Sequence, residues 1–156
     1  MQLGVQIDDR FRENINEKWL YKIVELCLKI HKFDYEVELS LFITGDETVR
    51  DINQKYRGMD ETTDVLSFAL TEEGSDISQF ILPPDGISHL GEVIISYPRA
   101  VMQAEKADHD VEQEMALLII HGILHLLGYD HNEPDREIEM RGLERKILND
   151  LTRELC

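Results

Sequence analysis

Met115-Ala-Leu-Leu-Ile-Ile-His121-Gly-Ile-Leu-His125-Leu-Leu-Gly128-Tyr-Asp-His131 is the stretch from which the rest of the chain can be read. Its first half is apolar on every side, so as a helix it belongs in the core. Asp110, with Gln113 three residues on, supplies the start signal. Gly128 supplies the stop, because glycine enters the left-handed region without penalty. Four residues of helix turn through about 400°, so His121 and His125 stack one turn apart on one face and reach a common ion. A turn through Tyr129 and Asp130 then returns His131 to the same point. Three neutral imidazoles with a fourth position for water form a catalytic type of zinc site rather than a closed structural one.

A lone histidine on an apolar helix face is more often a core residue than a ligand. Six histidines in 156 residues put two more at these offsets by chance in roughly one chain in a hundred, before the glycine is counted. The metal reading is preferred. The spacing is that of the metzincin metalloproteases, His-Glu-x-x-His-x-x-Gly-x-x-His, with one change. Gly122 occupies the position of their general-base glutamate. The usual route for deprotonating a zinc-bound water beside a peptide carbonyl is therefore missing, and the general base is unassigned. A metallohydrolase survives this test; an ordinary metzincin does not.

Outward from this helix, periodicity sets the other elements. Leu3, Val5 and Ile7 alternate as a short first strand. Trp19, Leu20, Ile23, Val24, Cys27 and Leu28 recur with helical period over 16–30. Val37, Leu39, Leu41 and Ile43 alternate with Glu36, Glu38, Ser40 and Phe42 as a half-buried strand. Thr44 with Glu47 reads as a capping box for a helix carrying Val49, Ile52 and Tyr56. Residues 65–70 give a third strand and 93–95 a more buried fourth. Pro98 marks a helix running to about Lys106. Asn132 and Pro134 open a last helix with Met140, Leu143, Ile147 and Leu151 as its inner stripe. Residues 71–89, polar and broken by Gly74, Pro83, Pro84 and Gly86, read as a long loop of the lid type. Helices and strands mix without strict alternation. The expected architecture is one α+β domain over 1–156, a four-stranded mixed sheet packed with helices, with the metal site on a buried helix and the following turn.

A chain of 156 residues is long enough to bury a real core in one domain. It shows no apolar run able to cross a bilayer and no signal-peptide pattern at its start. Cys27 sits among apolar residues and Cys156 ends the chain, so no disulfide framework is expected and the cytoplasm is the expected location. The net charge of −16 by itself favours a protein or small-molecule substrate over a polyanion. Against it stand the ion and a short basic cluster, Arg50, Lys55 and Arg57, on a predicted helix.

Three stretches carry a family resemblance. The run from His121 to His131 resembles the signature of the YbeY family, bacterial metal-dependent endoribonucleases of ribosomal RNA maturation. Asn53-Gln-Lys-Tyr-Arg57 with Thr63-Asp-Val-Leu-Ser-Phe68 is similar to that family's Asn-x-x-Tyr-Arg and Thr-Asp-Val-Leu-Ser-Phe segment, and Leu90-Gly-Glu-Val-Ile-Ile-Ser96 resembles its Leu-Gly-Asp-Ile-x-Ile strand. Order and separation also fit, so the likeness covers nearly the whole chain. Glu92 replaces the usual aspartate, which puts in question any role needing the shorter carboxylate, and Ala69 stands where proline is common.

The resemblance implies a single-strand-specific endoribonuclease holding one zinc ion on His121, His125 and His131. Arg57 would bind substrate phosphate, as an arginine fork suits. Ribosomal RNA and the small ribosomal subunit with its associated proteins are the implied partners. The bland reading of Arg57 is a solvated helix end. Asp130 reads as an orienter of His131 or a turn-forming aspartate. Asp64 and Ser67 face the cleft, or Asp64 bonds backbone at a strand start. Glu92 is a base, a partner contact or a solvated edge. His31, His89 and His109 have no ligand spacing and read as surface or helix-end residues. Two other classes stay open: a metal-dependent hydrolase of peptides or small molecules, and a noncatalytic ribosome assembly factor with a structural metal.

Overall fold

A computed structural model describes residues 1–30, 36–69, 87–129 and 133–155. Strand β1 (Gln2–Ile7) leads through a 3-10 turn (Asp9–Asn14) into α1 (Glu17–Leu28). Then come β2 (Glu36–Thr44), α2 (Asp46–Arg57), β3 (Val65–Ala69) and β4 (Ile87–Ser96). Helices α3 (Tyr97–Ala107), α4 (Val111–Leu126) and α5 (Pro134–Leu155) complete the order. The sheet runs β1-β2-β4-β3. β1 and β4 lie parallel to β2, and β3 lies antiparallel to β4, so the sheet is mixed and the fold is a single α+β domain as expected.

Alternation along the strands divides the sheet into two unlike faces. Leu39, Leu41, Ile43, Val93 and Ile95 face one core with Met115, Ile119, Ile120 and Ile123 of α4. α1 and α5 close around α4 through Leu20, Ile23, Val24, Met140, Ile147 and Leu151. Each such aliphatic side chain stabilises the fold by about 1.5–3 kcal/mol on burial. α4 is enclosed as its composition predicts, with ten buried residues. On the other face α2 covers a smaller cluster, Val49 with Leu66 and Ile94. Among the described residues Glu92 is exposed on that face.

Three local readings change. Thr44 is the last residue of β2, fully buried, and its hydroxyl donates to Asp8 Oδ2 at 3.4 Å. Gly45 is the N-cap of α2, without a side-chain bond, and Glu47 instead pairs with Arg10 at 2.6 Å. The predicted capping box is therefore absent. β4 begins at Ile87 rather than at 93, because its first half pairs with β2 across a bulge at Leu90. His89 belongs to this strand and its Nδ1 lies 2.8 Å from Glu38 Oε1. His109 is largely enclosed, with Nε2 at 3.4 Å from Glu114 Oε1. Cys27 is packed as expected, and burial pushes its thiol pKa up. Leu70, most of 71–89, His31, Asp130, His131, Asn132 and Cys156 lie outside the described residues. No helix among the described residues is long and apolar enough to cross a membrane.

Candidate active site

Local chemistry sets both ends of α4. Asp110 caps it by accepting from Gln113 N–H at 2.8 Å. At the other end Gly128 adopts φ +99°. Its N–H donates to the His125 carbonyl at 3.1 Å, and Tyr129 N–H to the Leu124 carbonyl at 3.0 Å. These two bonds are the Schellman closure, which satisfies the last carbonyls and turns the chain out of the helix after Leu127, two residues past His125.

His121 and His125 share one face of α4. Their ring centroids are 4.6 Å apart, the planes cross at 78°, and the two Nε2 atoms stand 3.1 Å from each other. His121 Nδ1 lies 2.8 Å from Glu144 Oε1 on α5. A carboxylate in its ionised form only accepts, so a hydrogen bond between the two would be donated by Nδ1–H of the ring. Two nitrogens each about 2.0–2.1 Å from a tetrahedral zinc would be separated by about 3.3 Å. The observed 3.1 Å is close to that separation and is also a hydrogen-bonding distance between the two rings. Among the described residues no three His, Cys, Asp or Glu side chains form a complete ligand group; the pair is what is described, since His131 falls outside.

Gly122 has a packing reason. A Cβ there would come within 2.7 Å of Val93 Cγ1 and 3.1 Å of Ser67 Oγ. The helix backbone lies close against side chains of the sheet at this point, and any side chain at 122 would have to displace Val93. Ser67 marks the contact, its hydroxyl donating to the Gly122 carbonyl at 3.1 Å. On β3, Ser67 also accepts through its own carbonyl from Arg57 Nη2 at 3.0 Å. Arg57, in the last turn of α2, lies with its guanidinium carbon 5.4 Å from the Phe68 ring centroid. Arg57 is thus linked to α4 through Ser67 while packing, with the rest of α2, on the Phe68 side of the sheet, and its side chain is exposed at the β3 edge. The basic cluster shrinks, because Arg50 is engaged by Asp60 at 2.8 Å.

Other candidates separate from this group. Asp64 accepts from Val65 N–H at 2.8 Å and from Gln103 Nε2 at 3.2 Å, the strand-start role. Glu92 is next to Val93, whose side chain meets α4, so alternation puts Glu92 on the opposite face of the sheet. It is not a base for the histidine pair. Glu144 is the residue that sequence reasoning missed. Its signal was a carboxylate four residues after Met140 and three before Ile147, within the inner stripe of α5. A cavity of about 520 Å³ between α4 and α5 reaches His121, Glu144, Met140 and Arg141. A larger hollow of about 860 Å³, near Trp19 and Tyr97, holds none of these residues.

A mixed α+β domain with a histidine pair on its central helix, and an arginine at the end of α2 bonded to the adjoining edge strand, has the making of a hydrolase site. The profile of the family described as Endoribonuclease YbeY matches residues 5–152, and the chain belongs to that family. It is 47% identical over 145 residues to an endoribonuclease YbeY of Dehalococcoides mccartyi, covering 90% of this chain and 84% of that relative. A Roseiflexus relative of the same description is 40% identical over 150 residues, covering 96% and 92%. One from Brevibacillus brevis is 38% identical over 156 residues, covering 96% and 97%. The fold resembles the solution structure of a Thermotoga maritima protein, with TM-score 0.66, 25% identity, and coverage of 99% of this chain and 91% of that one.

Proposed function

We propose that the protein is a metal-dependent, single-strand-specific endoribonuclease of ribosomal RNA processing and small-subunit maturation, working in the cytoplasm. Family membership supports the endoribonuclease activity. The observation that supports a metal is the 3.1 Å approach of the His121 and His125 Nε2 atoms on one face of α4.

His121, His125 and His131 would hold one divalent ion, with zinc as the expected species. When bound, the ion supplies Lewis acidity at a phosphoryl oxygen and an acidified water. Arg57 binds the scissile or adjacent phosphate with the donors that Ser67 leaves over, and offsets the charge that develops there. Gly122 keeps α4 seated against β3, which fixes Arg57 and the histidines relative to each other. Glycine at 122, packed tightly against Val93, leaves the site without the general-base glutamate of a metzincin peptidase. The maturing small subunit, with its RNA and bound proteins, is the proposed partner.

Metal analysis of the purified protein, paired with cleavage of a single-stranded RNA by wild type and His121→Ala, tests this reading. We expect one zinc per chain, and cleavage that disappears with chelator or with the substitution while the fold persists. Undiminished cleavage in metal-free protein would refute it.

A further inference from the structure

We propose that Glu144 is the positioning residue of the site: its carboxylate selects the tautomer and ring orientation of His121, so that Nε2 is the nitrogen offered to the ion. The inference rests on the reading of His121 as a ligand and adds a residue from a different helix to it.

Three observations carry it. The Glu144 Oε1 to His121 Nδ1 distance is 2.8 Å, a full hydrogen bond between residues 23 positions apart. Glu144 is mostly enclosed, at 19% exposure, and His121 is half-buried at 34%, so water reaches the carboxylate less readily than the ring. Glu144 sits in the stripe of α5 that buries Met140 and Ile147, where an apolar side chain would pack as well. A carboxylate at such a position costs desolvation unless it meets a partner, and the partner here is the ring nitrogen that faces away from His125.

The chemistry then follows from the ring. A neutral imidazole carries its one proton on either nitrogen, and only the deprotonated nitrogen ligates. Glu144 binds the Nδ1–H form and cannot bind the Nε2–H form in the same pose, because a carboxylate has no proton to return. It also holds the ring against rotation about χ2 and raises the donor strength of Nε2. Arg141, one turn earlier on α5, is engaged by Glu137 at 2.7 Å and leaves this carboxylate to the histidine.

The test uses the full chain in three forms: wild type, Glu144→Gln and His121→Ala. Nitrogen-15 NMR of the metal-free wild type should show His121 as the Nδ1–H tautomer, a reading that needs no variant and no metal. Glu144→Gln, nearly isosteric and uncharged, should mix the tautomers while leaving the melting temperature near wild type. Zinc affinity, measured by competition with a chromophoric chelator, should fall roughly 10- to 100-fold. A wild-type His121 carrying its proton on Nε2 overturns the proposal. So does a Glu144→Gln protein with unchanged tautomer and unchanged zinc affinity, provided His121→Ala has lost zinc. If His121→Ala instead binds zinc like wild type, the ligand reading itself has failed, and the proposal falls with it.

Discussion

Arg57 spends one donor on the Ser67 carbonyl and rests against Phe68, which aims the guanidinium without burying it. Its removal should therefore spare the fold and harm the reaction. We predict that Arg57→Ala keeps metal content and melting temperature near wild type while RNA cleavage drops at least about tenfold, or roughly 1.4 kcal/mol of transition-state stabilisation. Arg57→Lys should restore little, because an ammonium lacks the planar pair of donors. Cleavage by Arg57→Ala at the wild-type rate would exclude the phosphate role, and loss of metal would make Arg57 part of the scaffold. For the histidines, alanine at 121, 125 or 131 should each sharply weaken zinc binding in a chelator competition. His131→Ala is the most telling of the three. Wild-type affinity there would mean that the turn after Gly128 does not return to the ion.

At the scale of the element, α4 depends on two glycines for different reasons. Gly122 needs the space: Gly122→Ala should destabilise by about 1–3 kcal/mol, since Val93 and Ser67 on the sheet must move to admit a methyl. Gly122→Glu, which restores the metzincin pattern, should unfold the protein rather than create a peptidase. Chemical denaturation of the two variants measures this, and a fully stable Gly122→Glu would show that the helix can lift from the sheet. Gly128 needs the dihedral: at φ +99° a valine should cost roughly 1–3 kcal/mol and lower zinc affinity by misdirecting the chain toward 131. Unchanged stability and affinity in Gly128→Val would mean that the helix end tolerates another closure. The start, the enclosure and the stop of this helix were legible in the sequence because each is a local matter of cap, composition and left-handed glycine. The start of α2 was not. Thr44 satisfied a local capping rule, but pairing with Ser96 in the sheet holds it in β2 and its hydroxyl turns to Asp8. Sheet hydrogen bonds, available only after folding, outweighed the cap.

Over the whole molecule, the net charge of −16 and the pairing of Arg50 with Asp60 leave Arg57, with Lys55 on the same helix, as the basic side chains that α2 can offer. RNA should therefore be held by a few local contacts against a repulsive surface. A plot of log KM against log salt should be shallow, with a slope magnitude no greater than about 2; a slope near that of 6–10 phosphate contacts would reveal an extended basic surface. The sequence by itself determined the elements whose signals are short in range: the alternation of β1 and β2, the buried helix with its histidine spacing, the stop at Gly128 and the family. Only the tertiary structure decided what depends on register and on crossing of distant segments. It put Glu92 on the far side of the sheet from the histidines, because the strand register fixes which side chains share a face. It drew His89 into β4 across a bulge, joined Arg57 to α4 through Ser67, and set Glu144 against His121. Those pairs are separated by tens of residues, and no local preference encodes a distance between helices that meet only when the core between them is packed.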